Sequence, residues 1–177
     1  MSKIEIRKVS ITSVGTDAIV NAANEGLWAG GGVCGAIFDA AGSAQLAKAC
    51  NAIGHCDTGS AVITPGYKLS RYIIHAVGPQ WGRDEEKVKK QLYGAYQAAL
   101  KLAVQNGCAS IGFPLISAGI FGVPADIAWR KAIQACAEFD GDIRVIFAVL
   151  DDQMIELGQK TLAAIVGGAA PSEETPT

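Results

Sequence analysis

Residues 19–38, IVNAANEGLWAGGGVCGAIF, carry the side chains and the bare backbone best suited to chemistry in this chain. An apolar run ends in Asn21 and Asn24, then come Gly30, Gly31 and Gly32, and Val33 and Cys34 stand where a helical pattern begins. A strand, a glycine-rich turn and a helix in succession present free backbone N–H groups and the positive end of a helix, an arrangement that attracts anions. A second loop has the same character: SAGIFG, residues 117–122, lies between the apolar run SIGFPL and a helix opened by Pro124. Two such loops at the carboxyl ends of strands in one sheet face each other across a crevice, where open α/β sheets hold their ligands. They suit two phosphates or one diphosphate. A glycine run is also the mark of a plain tight connection. No Gly-Lys-Ser/Thr follows it, and the spacing is not that of a dinucleotide fingerprint. The residues themselves lead to anion-binding loops and no further.

The elements that must position these loops are legible as patterns. Strand-like runs occur at residues 3–9, 17–22, 60–66, 71–77, 110–115 and 142–150, rich in Ile, Val and Phe. Between them, helical spacing predicts helices over residues 33–41, 44–53, 85–106, 124–139 and 154–165, with Lys87, Lys89, Lys90 and Lys101 on the solvated side of the third. Strands apolar almost throughout, alternating with helices, indicate an α/β fold: a mixed central sheet between two helical layers. Residues 60–66 and 71–77 are close enough in sequence to pair as a hairpin. Residues 1–166 are expected to form one domain. The ending GGAAPSEETPT, residues 167–177, has little to bury and reads as a disordered tail.

Composition narrows the function classes. Of 177 residues, 50% are hydrophobic and 18% charged, and the net charge is −2. That balance supports a sizeable core and gives no electrostatic footprint for bulk nucleic acid or an anionic membrane. No stretch of ~18 apolar residues and no signal-peptide core occurs. The five cysteines form an odd set without a CxxC pair and read as reduced thiols of a cytoplasmic protein. Cys50, His55 and Cys56 match no zinc spacing and lack a fourth ligand, so no metal and no cofactor is expected. Trp28, just before the glycines, reads either as a loop anchor or as a ligand flank. Trp81 with Arg83 reads as an edge-packed pair or a rim contact.

DAIVNAAN, the GGGV loop leading into GAIF, AAG after it, HAVGP at 75–79 and FPLISAGIFGVP at 113–124 together resemble the macrodomain family of ADP-ribose-binding α/β/α modules. The resemblance spans about residues 3–165, its blocks stand in the family's order, and the branch it looks closest to removes ADP-ribose from proteins or acetyl from O-acetyl-ADP-ribose. It implies that Ala22 and Asn24 face the ligand, with the Asn24 amide on the hydroxyls of the distal ribose. It implies that Gly31, Gly32, Val33 and Cys34 hold the diphosphate from one side, and Ser117, Ala118, Gly119, Ile120, Phe121 and Gly122 from the other. Phe121 would pack beside the distal ribose, and Asn24, Cys34 and Phe121 would be the residues about the reacting bond.

Three positions depart from the family's pattern. Cys34 stands where many hydrolytic members have an aspartate, although the alphavirus macrodomains look similar here, with their own GVC loop. Ser10 occupies the place of the aspartate that receives the adenine amino group, and a neutral acceptor is about half as strong as a carboxylate. Leu150 replaces an aromatic ring expected to stack on adenine, and Ile11 and Asp151 are its neighbours in that corner. The resemblance implies hydrolysis at the distal ribose of ADP-ribose, or of proteins carrying it. Two rival readings are a module that binds ADP-ribose without turnover, and a regulator that binds RNA or poly(ADP-ribose).

Overall fold

Residues 3–167 are described by the computed structural model. Six strands form one sheet: β1 (Lys3–Lys8), β2 (Ala18–Ala22), β3 (Ala61–Pro65), β4 (Tyr72–Ala76), β5 (Ser110–Phe113) and β6 (Arg144–Val149). Five helices connect or follow them: α1 (Gly32–Ala41), α2 (Ser43–Ile53), α3 (Glu85–Gln105), α4 (Ala125–Glu138) and α5 (Asp152–Ile165). Across the sheet the order is β1-β6-β5-β2-β4-β3. All neighbours are parallel except β3 and β4, which pair antiparallel with Ile63 opposite Ile74. The sheet is therefore mixed, with the hairpin read from the sequence at one edge. Pro65 closes the edge strand, where a missing N–H costs no ladder bond.

Side-chain alternation along each strand divides the core in two. Ala18 and Val20 of β2, Ile74 of β4, and Val145 and Phe147 of β6 pack with α3 and α4 on one face. Ile19, Ile73 and Ile146 point the other way, to Ile37 and Phe38 of α1 and Leu46 of α2. The first face is filled by an aromatic cluster in which Tyr96, Phe113, Phe147 and Trp129 have ring centroids 4.9–6.1 Å apart. Aromatic side chains at such spacing dominate core energetics.

Two details lie outside the patterns read above. Ser10 caps a short 3-10 turn at Ile11–Ser13, its hydroxyl accepting the Thr12 N–H at 3.3 Å. α5 starts at Asp152, ahead of the expected start at 154, because the Asp151 carboxylate accepts the N–H groups of Gln153 and Met154 at 2.8 and 3.1 Å. At its other end the Gly167 N–H donates to Ala163 O. The remainder of the tail expected at 167–177 lies outside the described residues.

One buried polar network ties the edge hairpin to the centre of the sheet. His75 is fully buried, and its Nδ1 accepts from Asn21 Nδ2 at 3.1 Å, which leaves the proton on Nε2 to donate to Thr64 Oγ1 at 3.0 Å. Burial holds the ring neutral, with its pKa lowered from 6.5 to about 4. A group depressed in the folded state stabilises fully above its unfolded pKa and loses that contribution as pH falls through the folded one. Stability against urea is therefore expected to fall as pH drops from about 6.5 toward 4, by on the order of 3 kcal/mol. His75→Gln should flatten that decline, and an equally steep one in the variant would contradict it.

Candidate functional site

The sheet has a gap built into its connections. β2 and β5 are neighbours and run parallel, yet the chain leaves β2 toward α1 on one face and β5 toward α4 on the other. Loops that part in this way leave a crevice at the carboxyl edge of the sheet. Here it is a cleft of about 340 Å³. The structure brings Ala22, Asn24, Gly31, Gly32, Val33 and Cys34 to one side of it, and Ser117, Gly119, Ile120 and Phe121 to the other.

Asn24 shapes the first loop. Its amide nitrogen donates to the Trp28 carbonyl at 2.9 Å and its oxygen accepts the Trp28 N–H at 3.2 Å, so the side chain closes a small ring of backbone. Cys34 fastens the far end: its Sγ accepts the Gly30 N–H at 3.4 Å and lies 3.8 Å from Trp28 O. The thiol is buried and turned into its own loop. Gly32 has φ +57, a left-handed backbone that favours glycine, and a Cβ at Gly31 or Gly32 would meet nothing within 4 Å. α1 starts here without a side-chain cap. Among the described residues, no acceptor takes the N–H groups of Gly31, Gly32, Val33 or Cys34. A helix end left open in this manner carries partial positive charge.

The second loop is held from behind and bare in front. Gly122 N–H donates to Gly119 O, Val123 N–H to Ser117 O, and Trp81 N–H to Phe121 O at 2.8 Å. The N–H groups of Gly119, Ile120 and Phe121 have no acceptor among the described residues. Ser117 sits at φ +68 although it has a side chain, a conformation that costs about 1–2 kcal/mol. Its hydroxyl is buried and has no hydrogen-bond partner among the described residues. Strain and an orphan polar group in one residue concentrate at sites of function. Ile120 is 96% exposed at the rim.

Among the described residues, no charged side chain lines the cleft. Any anion bound there is held by main-chain N–H groups and the α1 terminus, whose combined field favours negative charge. Equally, nothing in the lining is a strong general base.

Other residues singled out in the sequence fall elsewhere. Ala118 and Gly122 belong to the second loop but do not line the cleft. Ser10, Ile11 and Leu150 are also outside the lining. Ser10 is engaged as a cap, Ile11 is buried in the second core, and Leu150 is exposed. Ser10 and Leu150 follow β1 and β6, so they stand along the same edge of the sheet, ~5–10 Å beyond β5 at ordinary strand spacing. Trp81 packs its Cβ toward Gly122, and Trp28 lies outside the cleft with its indole over Gly26.

Cys50, His55 and Cys56 are not gathered into a ligand set. Cys50 Sγ lies 3.7 Å from His75 Nε2, and burial pushes that thiol up to about 11. Among the described residues the single grouping of metal-ligand type is Glu25, His55 and Asp57, all exposed. There Glu25 accepts from Thr58 and His55 pairs with Asp57 at 2.8 Å. All five cysteines are free and buried. No helix among the described residues is long and apolar enough to cross a membrane.

Gly30 of the glycine run lines the cleft, and so do residues that reasoning from sequence passed over: Ala23, Gly78, Pro114, Leu115 and Ile116. Gly78 had a signal, its place in HAVGP, but not a reason. The reason is a close approach: a Cβ there would run into Ser117 Oγ and Ile116 Cγ2.

Known proteins supply the comparison for this geometry. The Macro domain family model matches residues 20–132. A Macro domain-containing protein of Chlorobaculum tepidum is 45% identical over 162 residues, covering 89% of this chain and 94% of its own. An O-acetyl-ADP-ribose deacetylase of Salmonella gallinarum is 46% identical over 143 residues, covering 78% of this chain and 79% of its own. Among solved structures, an Oceanobacillus iheyensis macrodomain with ADP superposes with a TM-score of 0.83 at 35% identity, covering 93% of this chain and 92% of that one. A Trypanosoma brucei macrodomain in complex with ADP-ribose gives 0.80 at 36%, covering 89% and 68%.

The position of the second loop is testable without a ligand. Gly78→Ala is expected to cost about 1–3 kcal/mol in chemical denaturation by overpacking against Ser117. Gly31→Ala, with open space around it and φ −91, is expected to stay within about 0.5 kcal/mol of the parent. The reverse order would contradict this placement of the loops.

Proposed function

Because the chain belongs to the Macro domain family, we propose that its cleft binds ADP-ribose and that it hydrolyses the ester or glycosidic bond at the distal ribose. The observation that carries the reading is the pair of loops whose bare N–H groups face one charge-free cleft. The diphosphate sits between Gly31–Cys34 and Gly119–Phe121, at the open terminus of α1. Adenine lies outward along the sheet edge toward Ser10, Ile11 and Leu150, where the Ser10 hydroxyl and the exposed leucine replace an acid and an aromatic ring. The distal ribose lies at the other end, between Asn24 and Phe121. O-acetyl-ADP-ribose and proteins carrying ADP-ribose are the substrates this placement suits. A cytoplasmic location belongs to the same proposal, and what supports it is five free, buried thiols that fit a reducing compartment.

For an O-acyl ester the step is attack of water on the acyl carbon. The carbon–oxygen bond to the ribose breaks, the ribose oxygen receives a proton, and carboxylic acid and ADP-ribose leave. The lining offers no carboxylate or imidazole, so the rate comes from holding water and acyl carbon in place and from backbone donors around the developing charge. The substrate's own phosphate helps to position the water. Cys34 forms the wall beside that water and fixes the loop through Gly30.

The cleft's lack of a base also favours a second reading, a module that binds without turnover. Incubation with O-acetyl-ADP-ribose and with a mono-ADP-ribosylated acidic substrate separates the two: product release supports hydrolysis, and binding with retained label makes the protein a reader. In calorimetry, Gly31→Glu is expected to weaken ADP-ribose by about 100-fold or more, because a carboxylate enters the diphosphate seat. Its melting temperature should stay within about 2 °C. Unchanged affinity in that variant would remove the site assignment.

A further inference from the structure

Beside the cleft lies a second depression, of about 570 Å³, and the two share Asn24, Gly78 and Phe121. Two of those residues are the ones assigned above to the distal ribose. Whatever that ribose carries must therefore extend into this space, an inference that rests on the proposed placement of ADP-ribose. The depression is far larger than an acetyl group needs, with room for roughly twenty waters at about 30 Å³ each.

Its walls are polar and their charges are arranged. On one side, the Glu25 carboxylate accepts the Thr58 N–H at 3.1 Å and the Thr58 hydroxyl at 2.8 Å, which holds it against the wall in its ionised form. On the other side stand Lys87 and Gln91 of α3. Lys89, two residues along, pairs with Glu85 at 2.8 Å, whereas no carboxylate among the described residues lies within ion-pair distance of Lys87. Lys87 thus lines the depression without an ion pair among the described residues. The side-chain amides of Gln80 and Gln91, also in the lining, have no protein partner among the described residues. The Trp28 indole, 64% exposed, adds a flat apolar wall. Free amide donors and acceptors beside an aromatic plane match the peptide groups of an extended chain. Glu25 repels a carboxylate on its own side, so an acidic side chain of that chain is directed to Lys87.

We propose that this depression receives the polypeptide attached to the distal ribose, and that Lys87 selects chains with an acidic side chain next to the attachment point. The test uses peptides joined to ADP-ribose by a hydrolysis-resistant linkage, one flanked by glutamates and one by lysines, titrated with free ADP-ribose against the parent and Lys87→Glu. Lys87 is exposed and in the first turn of α3, where an acidic residue is tolerated. The parent is expected to bind the glutamate-flanked peptide about fivefold more tightly than the lysine-flanked one. Lys87→Glu should reverse that order and leave free ADP-ribose unchanged. Equal affinity for both peptides and for free ADP-ribose, in parent and variant alike, would overturn the inference and leave the cleft standing. Failure of the parent to bind free ADP-ribose would bring down both.

Discussion

Backbone N–H groups that find no acceptor inside the protein are the constraint on which this molecule's site depends. Most of the residues that carry them here are exposed, so these donors are open to water or to a ligand. N–H groups without an acceptor among the described residues stand in two clusters, at Gly31–Cys34 and Gly119–Phe121, on opposite sides of one cleft. The topology produces this. Parallel neighbours β2 and β5 send their chains to opposite faces, so the loops at their carboxyl ends part and cannot satisfy each other. The rest of the fold serves to keep them parted: the aromatic cluster under α3 and α4 fixes one side, and the packing of α1 and α2 fixes the other.

The devices that hold the two loops differ. The first is tied by side chains, with Asn24 and Cys34 both bonded to the backbone around Trp28 and Gly30. The second is tied by backbone bonds from behind and by the close approach of Gly78 to Ser117. Neither uses a charged group. Under the proposed function, a neutral cradle of this kind holds a diphosphate without the desolvation cost of a buried lysine or arginine. The charged side chains Lys87 and Glu25 stand instead in the neighbouring depression, where the proposed charge recognition takes place.

How much of this was legible in the sequence follows from the range of the interactions concerned. The two glycine-containing loops stood out because their local composition suits a turn with nothing but backbone to offer. The mixed sheet and its edge hairpin followed from apolar runs separated by short turns. The 3-10 turn at Ile11–Ser13 and the early start of α5 are set by single side-chain caps, Ser10 and Asp151, and leave no periodic trace. Gly78 and Ile116 enter the cleft through a contact between residues nearly forty positions apart, which no local pattern contains. Cys34 is the instructive case: the sequence places it at a helix start beside the ligand loops, but only coordinates show its sulfur turned inward onto Gly30 and Trp28.

Amide chemical shifts during titration of the isotopically labelled protein with ADP-ribose test the central claim most directly. The account predicts that the N–H resonances of Gly32, Val33, Cys34, Gly119, Ile120 and Phe121 move downfield together as they acquire phosphate acceptors. Binding that leaves those resonances in place, while amides elsewhere shift, would contradict it.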